Sequence, residues 1–234
     1  MLNGCSYEES YASGVRELAK SLGIKKCYSL ALGGSANSRI LRTTLKHSYK
    51  FPKPTFYLIG LTFASRWELP IFEAPDAKDF EGRWINPQAQ RKSTDKFQFN
   101  WTDKDTETFT ELNFKSVIFS ESDQLEDLMY RCLSLIGDLN KRGHRVLIYN
   151  NCNKNFGELV DNDSTFSFIK DNPVFVDGLR WTAIPWQHLQ GARAREYPSN
   201  VELPPLEFQH IHGEDYKFKN QYLFDYIQQH KILE

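Results

Sequence analysis

The chain predicts an α/β fold built on a mainly parallel sheet, and three observations carry the prediction. Short apolar runs alternate along the sequence with amphipathic stretches at helical spacing. One run, "TFYLIGLTF" (Thr55 to Phe63), is continuously apolar, as a central strand covered on both faces requires. Small-residue turns follow the first two runs, at Gly4-Cys5-Ser6 and Gly33-Gly34-Ser35, and parallel sheets bind ligands outside the carboxyl ends of their strands.

Each element follows from local chemistry. Met1 to Asn3 reads as a very short strand running into the Gly4-Cys5-Ser6 turn. Glu8 to Leu22 reads as a helix, because Tyr11, Val15, Leu18, Ala19 and Leu22 share one face and Gly23 supplies a C-terminal stop. "CYSLAL" (Cys27 to Leu32) is a second strand, and Ser35 is the expected cap of a helix reaching about His47. From Glu121 to Arg142, the residues Leu125, Leu128, Met129, Cys132, Leu135, Ile136 and Leu139 trace one stripe that Gly143 ends. "RVLIYNN" (Arg145 to Asn151) and "PVFVDG" (Pro173 to Gly178) are further strands. A last helix spans about Asp215 to His230 with Phe218, Tyr222, Leu223, Tyr226 and Ile227 inward. Two segments, about 67–113 and 181–209, break the alternation, and such loops are functional or carry small hairpins. They are read as insertions roofing a cleft within a single domain, 1–234.

Composition narrows the function classes. The formal net charge of −1 supplies no field toward nucleic acid or an anionic membrane. No apolar run reaches the length of a bilayer span and no charged-then-apolar leader opens the chain, so a cytoplasmic protein is expected. Cys5, Cys27, Cys132 and Cys152 lie far apart, fit no metal spacing and sit in or beside apolar segments, as reduced thiols do. The aromatic content of 14% suits a large core or a sugar-binding cleft. Trp67, Trp84, Trp101, Trp181 and Trp186 fall in or beside the insertions, either as stacking platforms or as insertion core.

Three blocks in order, each at a strand end, resemble the SGNH (GDSL-type) hydrolases: "NGCSY", "LALGGSANSRILRTT" and "LIGLTFASRWE". They look closest to a branch common in bacteriophage and marine bacterial genomes, whose first block reads Asn-Gly-Cys-Ser-Phe. The match covers the first seventy residues well and the final thirty loosely. The resemblance implies a three-layer α/β/α sandwich with a flavodoxin-like, about five-stranded parallel sheet. It also implies a serine esterase that needs no cofactor and acts on a small-molecule or glycan ester. The setting would be an infected host cell or a virion.

Carried over residue by residue, Ser6 is the expected nucleophile, and a serine hydroxyl needs an adjacent base. The family places that histidine shortly before the last helix, with an acid three residues earlier. Glu207 and His210 have that spacing, and His212 competes as base although Gln209 stands three residues before it. A His-x-His pair also suits a metal, but no clustered carboxylates or cysteines accompany it. The expected oxyanion donors are the Ser6 N–H, the N–H of Gly33 or Gly34, and a group from the third block. There the family's Gly-x-Asn stands here as Gly60-Leu61-Thr62, leaving Thr62 or the neighbouring Asn37 to fill the place. Arg66 and Glu68 face the same side of an extended segment, either pairing with each other or lining the cleft. Arg39 and Arg42 share a helical face suited to a carboxylate, a phosphate or water. Two other classes stay open: a weak or inactive relative that binds a ligand, and a nucleotide-binding enzyme using Gly33-Gly34-Ser35. Neither a P-loop nor a dinucleotide fingerprint supports the latter.

Overall fold

The computed structural model describes residues 1–4, 11–32, 35–51, 53–62, 69–70, 84–85, 121–150, 172, 174–176 and 216–234. Four strands form one parallel sheet in the order β1 (Leu2–Asn3), β2 (Phe56–Leu61), β5 (Arg145–Asn150), β6 (Phe175–Val176). The register sets Leu2 opposite Leu58, Leu58 opposite Leu147, and Ile148 opposite Phe175. The segment expected as the second strand, 27–32, makes a parallel bridge between Ser29 and Leu2 on the free side of β1. Leu30 N–H donates to the Leu2 carbonyl and Leu2 N–H to the Tyr28 carbonyl, both at 2.8 Å. A separate antiparallel pair, β3 (Leu69–Pro70) with β4 (Trp84–Ile85), lies within the first insertion, which therefore carries a small hairpin-like pairing.

Helices cover both faces of the sheet, which explains why its strands are apolar on both sides. Leu2, Leu58, Leu147 and Tyr149 point one way, into a cluster with Tyr11, Val15 and Leu18 of α1 (Gly14–Ser21) and its approach, and Leu223 and Ile227 of α4 (Tyr216–Gln229). Tyr57, Ile59, Leu61, Val146, Ile148 and Phe175 point the other way. They meet Ile40 and Leu41 of α2 (Asn37–Lys50) and the whole expected stripe of α3 (Glu121–Lys141), from Leu125 to Leu139. Alternation along each strand, period 2, produces two cores from one run of apolar residues.

The glycine stops behave as expected. Gly23 (φ +71) and Gly143 (φ +78) take the left-handed conformation just past α1 and α3. In each case the glycine N–H and the next N–H reach back to helix carbonyls: Gly23 to Lys20 and Ile24 to Ala19, Gly143 to Asn140 and His144 to Leu139. Two expectations are corrected. The expected helix is not continuous: Tyr11 is helical, turn residues follow at Ala12 and Ser13, and α1 runs Gly14–Ser21; the expected start at Glu8 lies outside the described residues. Ser35 does not cap α2, whose N-cap is Ala36 with no side-chain bond. Its hydroxyl donates instead to the Leu32 carbonyl at 2.6 Å, closing the turn before the helix.

Candidate functional site

A parallel sheet opens a crevice where the chain's connections diverge to opposite faces. That point lies between β1 and β2. From β1 the chain passes through α1 to 28–32 on the outer side; from there it crosses through α2, on the other face, to β2. The carboxyl ends of β1 and β2 therefore flank this crevice, and of the sequence-predicted residues Asn37 and Thr62 stand at the end of β2.

The end of β1 is pinned by a side chain. Asn3 is fully buried. Its Nδ2 lies 2.9 Å from the Ile40 carbonyl, 2.9 Å from Thr43 Oγ1 and 2.8 Å from Thr44 Oγ1, while its Oδ1 accepts from Gly4 N–H at 2.9 Å. Both threonine hydroxyls donate back along α2, Thr43 to the Arg39 carbonyl and Thr44 to the Ile40 carbonyl, each at 2.8 Å. Their remaining lone pairs face Asn3. A buried carboxamide is stable only with such partners, and here they hold the last residues before Ser6 against the helix that follows the glycine turn. Asn3 escaped the sequence reading as a site residue. The signal was present in an asparagine at the end of an apolar strand, where a buried amide must find partners on the next element.

Asn37 and Thr62 are brought together. Asn37 opens α2 and is buried; its Nδ2 donates to the Thr62 carbonyl at 3.0 Å and its Oδ1 accepts from Thr62 N–H at 2.9 Å. The carboxamide thus acts like one rung of a sheet ladder, tying the end of β2 to the first turn of α2. Thr62 is fully buried, and Asn150 ends β5 opposite Leu61, also buried. Arg39 folds back over the turn, its Nη1 donating to Ser35 Oγ at 3.0 Å and the Leu30 carbonyl at 3.3 Å. Arg39 therefore braces the turn after 28–32.

Ser6, Gly33, Gly34, Arg66, Glu207, His210 and His212 lie outside the described residues. What the structure does define is where their segments begin and end. Tyr11, five residues after Ser6, and Tyr216, four residues after His212, belong to one buried contact. A Cβ on Gly14 would stand 2.6 Å from the Tyr216 ring and 2.9 Å from that of Tyr11, so only glycine admits this approach of α4 to α1. Asn220 locks the pair, its Oδ1 accepting from the Tyr11 hydroxyl and its Nδ2 donating to the Gly14 carbonyl at 3.0 Å. The two ends of the chain meet on the face beside the crevice.

Among the described residues no group of three or more His, Cys, Asp or Glu is placed to hold a metal, and no helix is long and apolar enough to cross a membrane. Of the thiols, Cys132 is buried and burial pushes its pKa up, while Cys27 is half-buried; both are free, and Cys5 and Cys152 lie outside the described residues. No family model and no curated protein matches the chain.

Proposed function

We propose that the chain is a serine ester hydrolase of SGNH type. The observation that supports this reading is the packing of α1 on α4 at Gly14, Tyr216 and Asn220, since these helices follow Ser6 and His212 closely in sequence. Fully extended, the five residues from Ser6 to Tyr11 could span at most about 18 Å and the four from His212 to Tyr216 about 14 Å, a reach that allows the two groups to meet. The strand order adds support. If 28–32, bridged to β1 at Ser29, counts as a strand, the order becomes second, first, third, fourth, fifth in chain order, which suits the flavodoxin-like sandwich of this reading.

In this reading Ser6 attacks the ester carbonyl while His210 or His212 takes its proton, and Glu207 orients the imidazole. The alcohol leaves with that proton, and water, activated by the same base, releases the acid. The oxyanion is held by N–H groups of Ser6 and of Gly33 or Gly34. The Asn37–Thr62 clamp fixes the third wall, and Arg66 lines the cleft. Small or carbohydrate-linked esters, O-acetyl groups among them, are the substrates the aromatic-rich insertions suit. The protein acts in the cytoplasm, in a phage-infected cell or with a virion.

One observation favours a second reading, a weak or inactive relative that binds its ligand without turnover. The Asn37 carboxamide commits its acceptor and one donor to the Thr62 backbone, so its amide serves the scaffold. A single experiment separates the two. A fluorophosphonate probe is expected to label wild-type protein, and Ser6→Ala to abolish the labelling. A folded, unlabelled wild type selects the binding protein. Short-chain aryl ester hydrolysis by His210→Ala and His212→Ala then identifies the base, whose loss lowers the rate by about 10²–10⁴.

A further inference from the structure

The face where α1 meets α4 holds a charged group that this chemistry does not use. Lys219, in the first turn of α4, has 1% of its surface exposed. Its Nζ stands 4.1 Å from the centroid of the Tyr11 ring and 5.0 Å from that of Tyr149, and both rings are fully buried. A buried ammonium persists where protein groups replace its hydration, and the negative faces of two phenol rings contribute to that replacement. The next residue, Asn220, receives the Tyr11 hydroxyl. The first turn of α4 therefore grips Tyr11 by its ring face and its hydroxyl together. The same turn touches β5 at Tyr149, one residue before the strand ends.

We infer that Lys219 is a positioning residue, fixing the amino-terminal segment at Tyr11 and the end of β5 at Tyr149 against α4, and thereby the serine-bearing segment against the histidine-bearing one. The inference rests on the hydrolase reading. An aliphatic side chain would fill the same space between the rings without preferring one ring orientation. The ammonium does prefer one, because its attraction to each ring, about 0.5–2 kcal/mol, falls away when the ring turns its edge. Its neighbours in sequence sharpen the point. Tyr11 follows Ser6 by five residues and Lys219 follows His212 by seven, so a displacement at this contact passes into both segments.

The test compares Lys219→Met, which keeps length and loses charge, with Lys219→Arg, which keeps charge. A lysine that only stabilises the fold predicts a methionine variant whose Tm shifts while its turnover stays unchanged. Positioning predicts a folded methionine variant whose kcat for a p-nitrophenyl ester falls about tenfold to a hundredfold with KM within about twofold, and an arginine variant that recovers part of the loss. Amide hydrogen exchange supplies a readout that needs no activity: faster exchange in α1 and the first turn of α4, with α2 and α3 unchanged as internal control. If wild type is not labelled at Ser6, the hydrolase reading falls while the exchange comparison still decides whether Lys219 couples the two ends. If the methionine variant does not fold, Tyr149→Leu removes one ring face and is expected to give the same kcat loss. Wild-type kcat in the folded methionine variant, or acceleration of exchange uniformly along the chain, overturns the inference.

Discussion

At Gly14 the fold leaves room for a hydrogen and nothing more, since a methyl group there would stand 2.6 Å from the Tyr216 ring. Gly→Ala in an open helix stabilises by about 0.4–1 kcal/mol. Here the sign reverses: Gly14→Ala is expected to destabilise by about 1–3 kcal/mol, through overpacking, in a urea titration. Asn3 makes the complementary case of a polar side chain that the core needs. Asn3→Ala leaves the Gly4 N–H without its acceptor and takes the carboxamide donor from the Ile40 carbonyl, Thr43 and Thr44, in a site closed to water. The expected loss is about 2–3 kcal/mol by denaturant unfolding. Because Asn3 lies three residues before Ser6, the proposed hydrolase activity predicts that the same variant slows turnover of a short-chain aryl ester in the protein that remains folded. Both residues were visible in the sequence as letters, but neither role was. A glycine inside a helical pattern and an asparagine at a strand end acquire meaning only from what stands opposite them.

The ends of the elements were more legible than their beginnings. Gly23 and Gly143 were read as helix stops and take φ +71 and φ +78, with nothing within 4 Å of the Cβ each would carry. Their cost on substitution is therefore conformational alone. Gly23→Ala and Gly143→Ala are each expected to lower stability by about 1–2 kcal/mol in thermal or urea unfolding, with no change in the m-value. Helix starts were harder. Ser35 has the chemistry of a cap, yet its hydroxyl closes the turn to Leu32, and the helix begins two residues later at Asn37, whose own side chain bonds across to Thr62. Periodicity found every apolar residue of α3 that is described as buried, because buried positions repeat at 3.6 residues whatever they touch. It missed Lys219, since a buried lysine between two tyrosines breaks the rule that charge faces water.

Across the whole molecule, the end of the sheet remote from the crevice carries its own polar cluster. His47 Nδ1 lies 3.1 Å from the Tyr57 hydroxyl, and His144, nearly fully buried, meets the Tyr57 ring edge-on. Burial lowers the pKa of His47, helped by the amino-terminal ammonium, His144 and Lys50. Burial also lowers that of His144, with Arg142 adding to it and the Ser48 backbone and Asp138 opposing. A protonated His144 would carry a buried Nδ1–H that has no hydrogen-bond partner among the described residues. Both folded values lie below the unfolded one, so in the window between them the unfolded chain binds more protons. Stability is therefore full above the ordinary histidine pKa and is lost as pH falls below it through the folded values. Urea midpoints are expected to drop between about pH 7.5 and about pH 5.5, and His47→Gln with His144→Gln to flatten that dependence.

Taken alone, the sequence determined the class of fold, the alternation of strands and helices, the faces that are buried and the glycine stops. All of these follow from local periods and local backbone freedom. Only the tertiary structure decided that 28–32 lies outside β1, which sets the order of the sheet and the position of its crevice. It also decided that Asn3 and Asn37 are structural pins and that the two ends of the chain meet through Gly14, Tyr216, Asn220 and Lys219. The physical reason is common to these cases. A buried polar group or a missing side chain is explained by its partner in space, and that partner stands 25 to 209 residues away along the chain.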